Sequence, residues 1–386
     1  MALIRIISGR RAFPAVPDHH PVTAAQAFDL PGELVSVLPY GSGHINDTYA
    51  LEVDVSGKIV RYILQRINQN VFKAPEALME NVERVCQHTQ QKLASQGVPD
   101  AFRRALRLFP TRRGRNWLTD ADGQCWRCYN FIENATGHDV VSSPRQAYAA
   151  ARAFGAFQAM LADLPGVRLN ETIPNFHHTP TRFANFKEAL KKDTQGRAKS
   201  AEKEIQYALQ NAHLASVITG ALARHEIPER VTHNDTKLNN VLLDNASQEG
   251  ICVIDLDTVM PGSVLYDFGD LVRTSTSPAA EDETDLDKVF MQLPMFAALV
   301  EGYLSTAQVF LSPREVALLP RAGQVITYEI GLRFLTDWLE GDLYFKCKRP
   351  THNLDRARTQ YKLVDSITAQ LPAMRQILNQ LSSCAS

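Results

Sequence analysis

Near residues 133 to 140 the hydrophobic pattern of the chain changes period, and that change sets most of what the chain can fold into. Before it, VSVL (35–38), TYALEV (48–53) and KIVRYILQRI (58–67) are short β-rich runs. Gly-containing turns at 41–43 and at Ser56 and Gly57 separate them, which reads as an antiparallel meander. One helix follows over 75–97: Pro75 suits a first turn, acids come early, Leu78, Val82, Val85 and Leu93 fall at helical intervals, and Gly97 stops it. ALRLF, NWLTD and CWRCYNFI then resume the strand pattern around the turns TRRGRN and ADGQ. From about 143 long helical segments dominate, interrupted only by the strand-like runs VLLD (241–244) and ICVIDLD (251–257). The expectation is an α+β chain in two parts, a β-rich 1–133 and a helical 134–386, with no Gly/Ser linker and no internal repeat between them.

With 386 residues the chain is long enough to enclose a cleft. Hydrophobic residues make up 45% and charged residues 22%, and no apolar run is long enough to span a membrane. Arg5 and the pair Arg10 and Arg11 leave too short an apolar stretch for a signal peptide, so a cytoplasmic location is expected. The formal net charge of -1 gives no global attraction for nucleic acid or an anionic membrane, so a ligand has to be recognised locally. The arginines between 103 and 115 are interleaved with strand and turn residues and read as a solvated face. The 6 cysteines are scattered, and Cys125 and Cys128 lack the further ligands a zinc site needs. The same holds for the adjacent pairs His19, His20 and His177, His178.

Three features in a fixed order carry chemistry. Between two expected strands lies the loop Pro39 to Asp47, with Gly41, Ser42, Gly43, His44 and Asn46, whose small residues allow backbone N–H groups to approach phosphates. It lacks the GxxxxGK[ST] spacing of a Walker loop. THNDTKLNNVLLD then places Asp235 five residues before Asn240 in a loop that leads into a strand. That spacing resembles the kinase catalytic loop H-R-D-x-x-x-x-N, where the Asp orients and deprotonates an attacking hydroxyl and the Asn holds a metal. Finally, VIDLD ends an apolar strand with Asp255, twenty residues after Asp235, and supplies the oxygen donor magnesium demands. Asp267, in a DFG sequence, follows a loop rather than a strand and is read as a brace for the Asp235 loop.

With these motifs the chain resembles the aminoglycoside phosphotransferase and choline kinase superfamily. The segments GSGHINDTY, YILQRIN, VFKAPEALMENVERV, HNDTKLNNVLLD, VIDLDTVMPG, YDFGD and GLRFLTDWLEGDLYF, between 41 and 345, are similar in combination to the N-acetylhexosamine 1-kinases. The resemblance implies a bilobal protein-kinase-like fold and ATP- and magnesium-dependent phosphorylation of the anomeric hydroxyl of GlcNAc or GalNAc. It implies Asp235 as the base, Asn240 and Asp255 as metal ligands, and the 41–47 loop as the phosphate cover. Phe131, Ile132 and Glu133 would be the hinge to adenine, and Arg333 and Tyr344 would contact the sugar. One departure stands out: where kinases carry a phosphate-pairing Lys on the third strand, YILQR offers Gln65 or Arg66, the latter open to orientation by Glu80 or Glu83.

Alternatives follow from the same residues. Glu329, Arg333 and Asp337, at i, i+4 and i+8, are also the pattern of a surface ion-pair row. The acidic run from Glu281 to Asp287 would suit a polycationic aminoglycoside, or cap a following helix. A choline-type acceptor, or an inactive nucleotide-binding protein of this fold, are the other readings.

Overall fold

The computed structural model of the chain describes residues 20–384 apart from Ser42 and His44, and the chain divides into two compact units. The first runs to Asn134 and takes in Asn170–Ile173. It holds α1 (Pro21–Gln26), β1 (Glu33–Pro39), β2 (Asp47–Val55), β3 (Lys58–Arg66), α2 (Pro75–Ser95), α3 (Ala101–Arg104), β4 (Leu118–Thr119) and β5 (Cys125–Asn130). Its sheet has the order β1-β2-β3-β5-β4 and is antiparallel throughout. The period-two pattern builds one core face. Tyr49, Leu51 and Val53 of β2, Tyr62 and Leu64 of β3, and Trp126 and Cys128 of β5 pack with Ala24, Ala25 and Phe28 around α1. The alternate residues point the other way, so Gln65 lies in register with Arg127.

ALRLF does not become a strand of this sheet. Only an isolated bridge, Leu108 to Tyr129, forms. Two backbone bonds reach β5, the Phe109 N–H to the Cys128 carbonyl at 2.9 Å and the Asn130 N–H to the Arg107 carbonyl at 3.1 Å, but the pairing goes no further: the Arg107 N–H donates to Asn130 Oδ1 at 2.7 Å, and Gln90 Nε2 donates to the Leu106 carbonyl at 2.8 Å.

The second unit comprises Ala135–Leu169 and Pro174 onward. Its elements are β6 (Ala135–Thr136), α4 (Pro144–Leu161), α5 (Thr179–Lys192), α6 (Glu202–Gln210), α7 (Val217–Ala223), β7 (Arg230–Thr232), β8 (Val241–Asp244), β9 (Gly250–Val253), β10 (Met260–Gly262), α8 (Val264–Ser275), α9 (Leu293–Ala307), α10 (Pro313–Glu340) and α11 (His352–Cys384). The expected α+β organisation, an antiparallel sheet with one long helix and a mainly helical remainder, is therefore present. The Ala-rich stretch 201–223 forms α6 and α7 rather than one helix, and at the break the Tyr207 carbonyl accepts both the Asn211 N–H at 3.1 Å and Asn211 Nδ2 at 3.0 Å.

Helix α10 is the spine of this unit. A capping box of Ser312 and Glu315 starts it, Gly341 ends it at φ 102°, and most of its length is buried. Helices α4 and α9 approach through glycine: a Cβ on Gly302 would lie 2.3 Å from the Tyr148 carbonyl oxygen. Gly302→Ala is expected to lower stability by about 1–3 kcal/mol, the usual effect of overpacking. An unshifted urea midpoint for unfolding of the full chain would refute this contact.

Candidate active site

The loop between β7 and β8 is sewn in place by backbone bonds before any of its side chains acts. Because β8 and β9 form an antiparallel hairpin, Asn240 at its start and Asp255 just past its end arrive at the same end. The Ile254 N–H donates to the Asn240 carbonyl at 2.9 Å, and His233 Nε2 lies 2.9 Å from the Ile254 carbonyl oxygen. The Asp235 N–H points at His233 Nδ1 from 3.3 Å, so the Nε2–H tautomer fits both contacts. His233 is thereby a framework residue of the loop.

Asn234 sits at φ 64°, a left-handed conformation that Asn tolerates better than most residues. Buried Asp267, in the first turn of α8, holds it there. Its Oδ1 accepts the Asn234 N–H at 2.7 Å and its Oδ2 accepts the His233 N–H at 2.8 Å. Gln158 Nε2 donates to Oδ2 at 2.5 Å, and the Thr236 hydroxyl donates to the Asp267 carbonyl at 2.5 Å. Burial pushes the Asp267 carboxyl above its ordinary value, against the pull of His233 and these donors. The Asn234 side chain closes the turn, donating to the carbonyls of Thr232 at 3.2 Å and Thr258 at 2.9 Å.

Asp235 follows directly. Lys237 Nζ lies 2.6 Å from its Oδ1, and Asn240 Nδ2 donates to its Oδ2 at 3.1 Å and to its carbonyl at 2.8 Å. Its side chain keeps 28% of its surface open, enough for a small molecule to reach it. Burial would raise its pKa, but the Lys237 charge, with help from His233 and Asn240, outweighs this and holds the carboxyl below its ordinary value. Such a carboxylate is ionised and can accept a proton from a hydroxyl placed against it. Lys237 escaped the sequence reading, although a Lys two residues after the Asp was visible. Among the described residues no group of three or more His, Cys, Asp or Glu could hold a metal. The amide oxygen of Asn240 and the carboxylate of Asp255 are nevertheless hard oxygen donors of the type magnesium takes, and the hairpin brings them to one end.

The remaining expected nucleotide residues lie in the first unit. Gly41 has φ 79° and Gly43 is exposed, while Ser42 and His44 lie outside the described residues. The loop is anchored downstream, where Asn46 Oδ1 accepts the Asn68 N–H and Asn68 Nδ2 bonds the Ile45 carbonyl, each at 3.0 Å. Gln65 donates to Thr48 Oγ1 at 3.1 Å and accepts from Arg127 Nε and Nη2 at 3.1 and 2.9 Å. Arg66 pairs with Asp47 at 2.8 Å and Gln124 at 2.7 Å, not with Glu80 or Glu83 as the sequence allowed, because Asp47 is its direct cross-strand partner. Ile132 is buried. Glu133 binds Arg61 Nε at 2.9 Å, its carbonyl accepts from Arg103 Nε at 3.0 Å, and the Arg61 guanidinium lies 3.8 Å from the Phe131 ring centre.

On α10, the Arg333 guanidinium lies 5.9, 5.7 and 5.4 Å from the ring centres of Phe176, Tyr344 and Phe345. The surface ion-pair alternative for Arg333 fails, because Glu329 and Asp337 are both buried and otherwise engaged. Asp337 accepts the N–H groups of Tyr344 and Phe345 at 2.7 and 2.9 Å and so fixes the segment carrying both rings. Tyr344 remains 65% exposed. Sequence reasoning missed Phe176 and Phe345, whose positions follow only from tertiary packing.

The phosphotransferase enzyme family matches residues 36–299, more than half of the 386, and the chain belongs to that family. Among solved structures, it is similar to an aminoglycoside phosphotransferase from Alicyclobacillus acidocaldarius, at 14% identity and TM-score 0.57 over 96% of this chain and 98% of that one. It is also similar to aminoglycoside 2'-phosphotransferase-IIIa, solved as its GDP complex, at 14% identity and TM-score 0.51 over 85% of this chain and 93% of that one. The bilobal kinase-like fold is thus shared, and the protein is a small-molecule kinase of this family.

Asp267→Ala strands two buried backbone N–H groups, each costing about 1–3 kcal/mol when unsatisfied. We expect a stability loss of at least ~2 kcal/mol by urea denaturation. A loss below about 0.5 kcal/mol, the level of an ordinary surface substitution, would show that the loop does not depend on this carboxylate.

Proposed function

We propose that the protein transfers the γ-phosphoryl group of ATP to the anomeric hydroxyl of an N-acetylhexosamine, GlcNAc or GalNAc, giving the sugar 1-phosphate. The observation that carries the kinase chemistry is Asp235 held ionised between Lys237 and Asn240 while partly open. Asp235 accepts the proton of the attacking hydroxyl, and the Lys237 ammonium beside it offers positive charge to the phosphoryl oxygens. Asn240 and Asp255 would hold magnesium, which would supply charge neutralisation at the phosphates. Gly41, Gly43 and Asn46 belong to the phosphate-covering loop, and Ile132 and Glu133 to the adenine hinge. Phosphoryl transfer asks for little else, since positioning and charge carry most of it.

The acceptor reading rests on the surroundings of Arg333. Three aromatic rings and a guanidinium offer faces for a sugar ring and a donor for its hydroxyl or acetamido oxygen. A second guanidinium stands nearby: burial and then repulsion from Arg333 lower the pKa of Arg182, against the pull of Glu329. Two guanidinium groups beside the rings are a poorer match for a polycationic aminoglycoside than for a neutral sugar, although buried Glu329 offsets part of their charge. The acidic run does not offset it, because Glu281 pairs with Arg273 at 2.8 Å, Asp282 with Arg349 at 2.9 Å, and Asp285 with Lys288 at 3.3 Å. The names of the similar structures favour the second reading, an aminoglycoside acceptor.

A coupled assay of ADP release from MgATP across GlcNAc, GalNAc, kanamycin-type aminoglycosides and choline separates these. The expected result is turnover with the N-acetylhexosamines alone, and turnover confined to aminoglycosides or choline would sink the sugar assignment. Asp235→Asn is expected to lower kcat by about 10²-fold or more, the range of general-base catalysis, with nucleotide affinity unchanged by calorimetry. Near-normal kcat in that variant would remove Asp235 from the chemistry.

A further inference from the structure

His177, the residue after Phe176, lies between α10 and the 233–240 loop. Its Nδ1 is 2.8 Å from Glu329 Oε1 and its Nε2 is 2.9 Å from the Asn234 carbonyl oxygen. The Asn234 carbonyl only accepts, and so does Glu329 when ionised, the form that His177, Thr179 and Arg333 favour; both ring nitrogens then donate, and only the imidazolium carries two N–H groups. The surroundings fit that form. Glu329 is fully buried, and its other oxygen accepts the Thr179 hydroxyl at 2.5 Å. Thr179 in turn lies 3.1 Å from the Tyr266 hydroxyl, and the imidazole stacks on the Tyr266 ring with centres 5.1 Å apart.

We propose that His177 is a positioning residue: as an imidazolium it ties the Asn234 carbonyl to Glu329, and so fixes Asp235 relative to the α10 turn that carries Arg333. The proposal rests on the reading of Asp235 as the base. Glu329 and Arg333 are one helical turn apart on α10, and Asn234 and Asp235 are consecutive, so the bridge links the helix that carries Arg333 to the loop that carries Asp235. Loss of the bridge lets the strained Asn234 turn relax, and misplacement of a catalytic group by about 1 Å can cost ~10²-fold in rate.

The charged groups around it come from three elements. Glu329 and Arg333 lie on α10, Asp270 and Tyr266 on α8, and Arg182 on α5. Burial alone would strip the proton from His177, but the Glu329 charge, its hydrogen bond and the more distant Asp270 together raise the pKa. Burial would raise the Glu329 pKa, and His177, Thr179 and Arg333 together lower it. A His whose folded pKa is raised contributes fully below its ordinary value of about 6.5, and its contribution fades as pH climbs through the raised value. The depressed Glu329 contributes above its ordinary value of about 4.3 and fails only as pH falls through the lowered value. The bridge is therefore complete between the ordinary Glu and His values and opens as pH rises through the raised His value.

The test is kcat for MgATP turnover by the full chain from about pH 6 to 9, a range that brackets and exceeds the ordinary His pKa. GlcNAc is the acceptor, or water if no sugar responds. In Glu329→Gln the amide oxygen can still accept from Thr179 while its NH2 donates to Nδ1 of a neutral His177, so the same bridge forms without charge. The wild type is expected to lose at least fivefold in kcat as pH rises, with the KM for MgATP unchanged, and Glu329→Gln to show no such fall. His177→Ala is expected to lower kcat about tenfold or more at every pH, without the alkaline decline. A flat wild-type profile, or a Glu329→Gln profile that falls as the wild type does, overturns the proposal. Those two measurements decide it even if His177→Ala does not fold. Asp235→Asn in the same assay is separate: retained turnover there sinks the base assignment whatever the bridge does.

Discussion

Two hydrogen bonds from consecutive backbone N–H groups into one buried carboxylate, Asp267, fix the loop that carries Asp235. A left-handed residue such as Asn234 is unfavourable unless its neighbours over-determine it. Asp267 supplies that constraint from a helix start, and Gln158, itself hydrogen-bonded by the Tyr303 hydroxyl, holds Asp267 in turn. The chain of support runs from α9 through α4 to α8 and into the loop. Each link is buried, so water does not compete with it, and the geometry at Asp235 inherits the rigidity of packed helices rather than the mobility of a surface loop.

Charge in the second unit is organised in local pairs. Asp235 faces Lys237, Asp270 faces Arg273, and Glu329 faces His177. Buried pairs of this kind add little stability against an apolar alternative, because desolvation offsets much of the attraction. Their effect is to fix protonation states. Asp235 is kept ionised and Lys237 charged, the former against the pull of burial and the latter because the Asp235 charge exceeds it.

Much of this was legible in the sequence, and what was not has identifiable causes. The β-rich runs marked β2 and β3, and Pro75 with its helical spacing marked α2, because each signal is local. The five-residue spacing from Asp235 to Asn240 anticipated a contact the structure contains, for the same reason. ALRLF misled because Asn130 and Gln90, distant in sequence, take the backbone groups a strand would need. The row Glu329, Arg333 and Asp337 misled because helical spacing says which residues share a face, not whether that face is buried. His177 was passed over as half of a His pair. Nothing within several residues of it signals that its partners are Glu329 and the Asn234 carbonyl.

The departure at the third strand gains a physical meaning from these contacts. Gln65 is engaged by Arg127 and Thr48, and Arg66 by Asp47 and Gln124, so both candidates for the usual Lys are committed to holding the sheet together. Phosphoryl transfer also draws on charge from other groups. On the proposed reading Lys237 provides it from within the Asp235 loop, where it first serves to keep the base ionised. A cation with both duties has to divide its attention as phosphate arrives, and Asp235 would become more basic at that moment. The proton of an incoming hydroxyl would therefore find its acceptor strengthened when the nucleotide is in place, which couples nucleotide binding to acceptor activation through a single ammonium group.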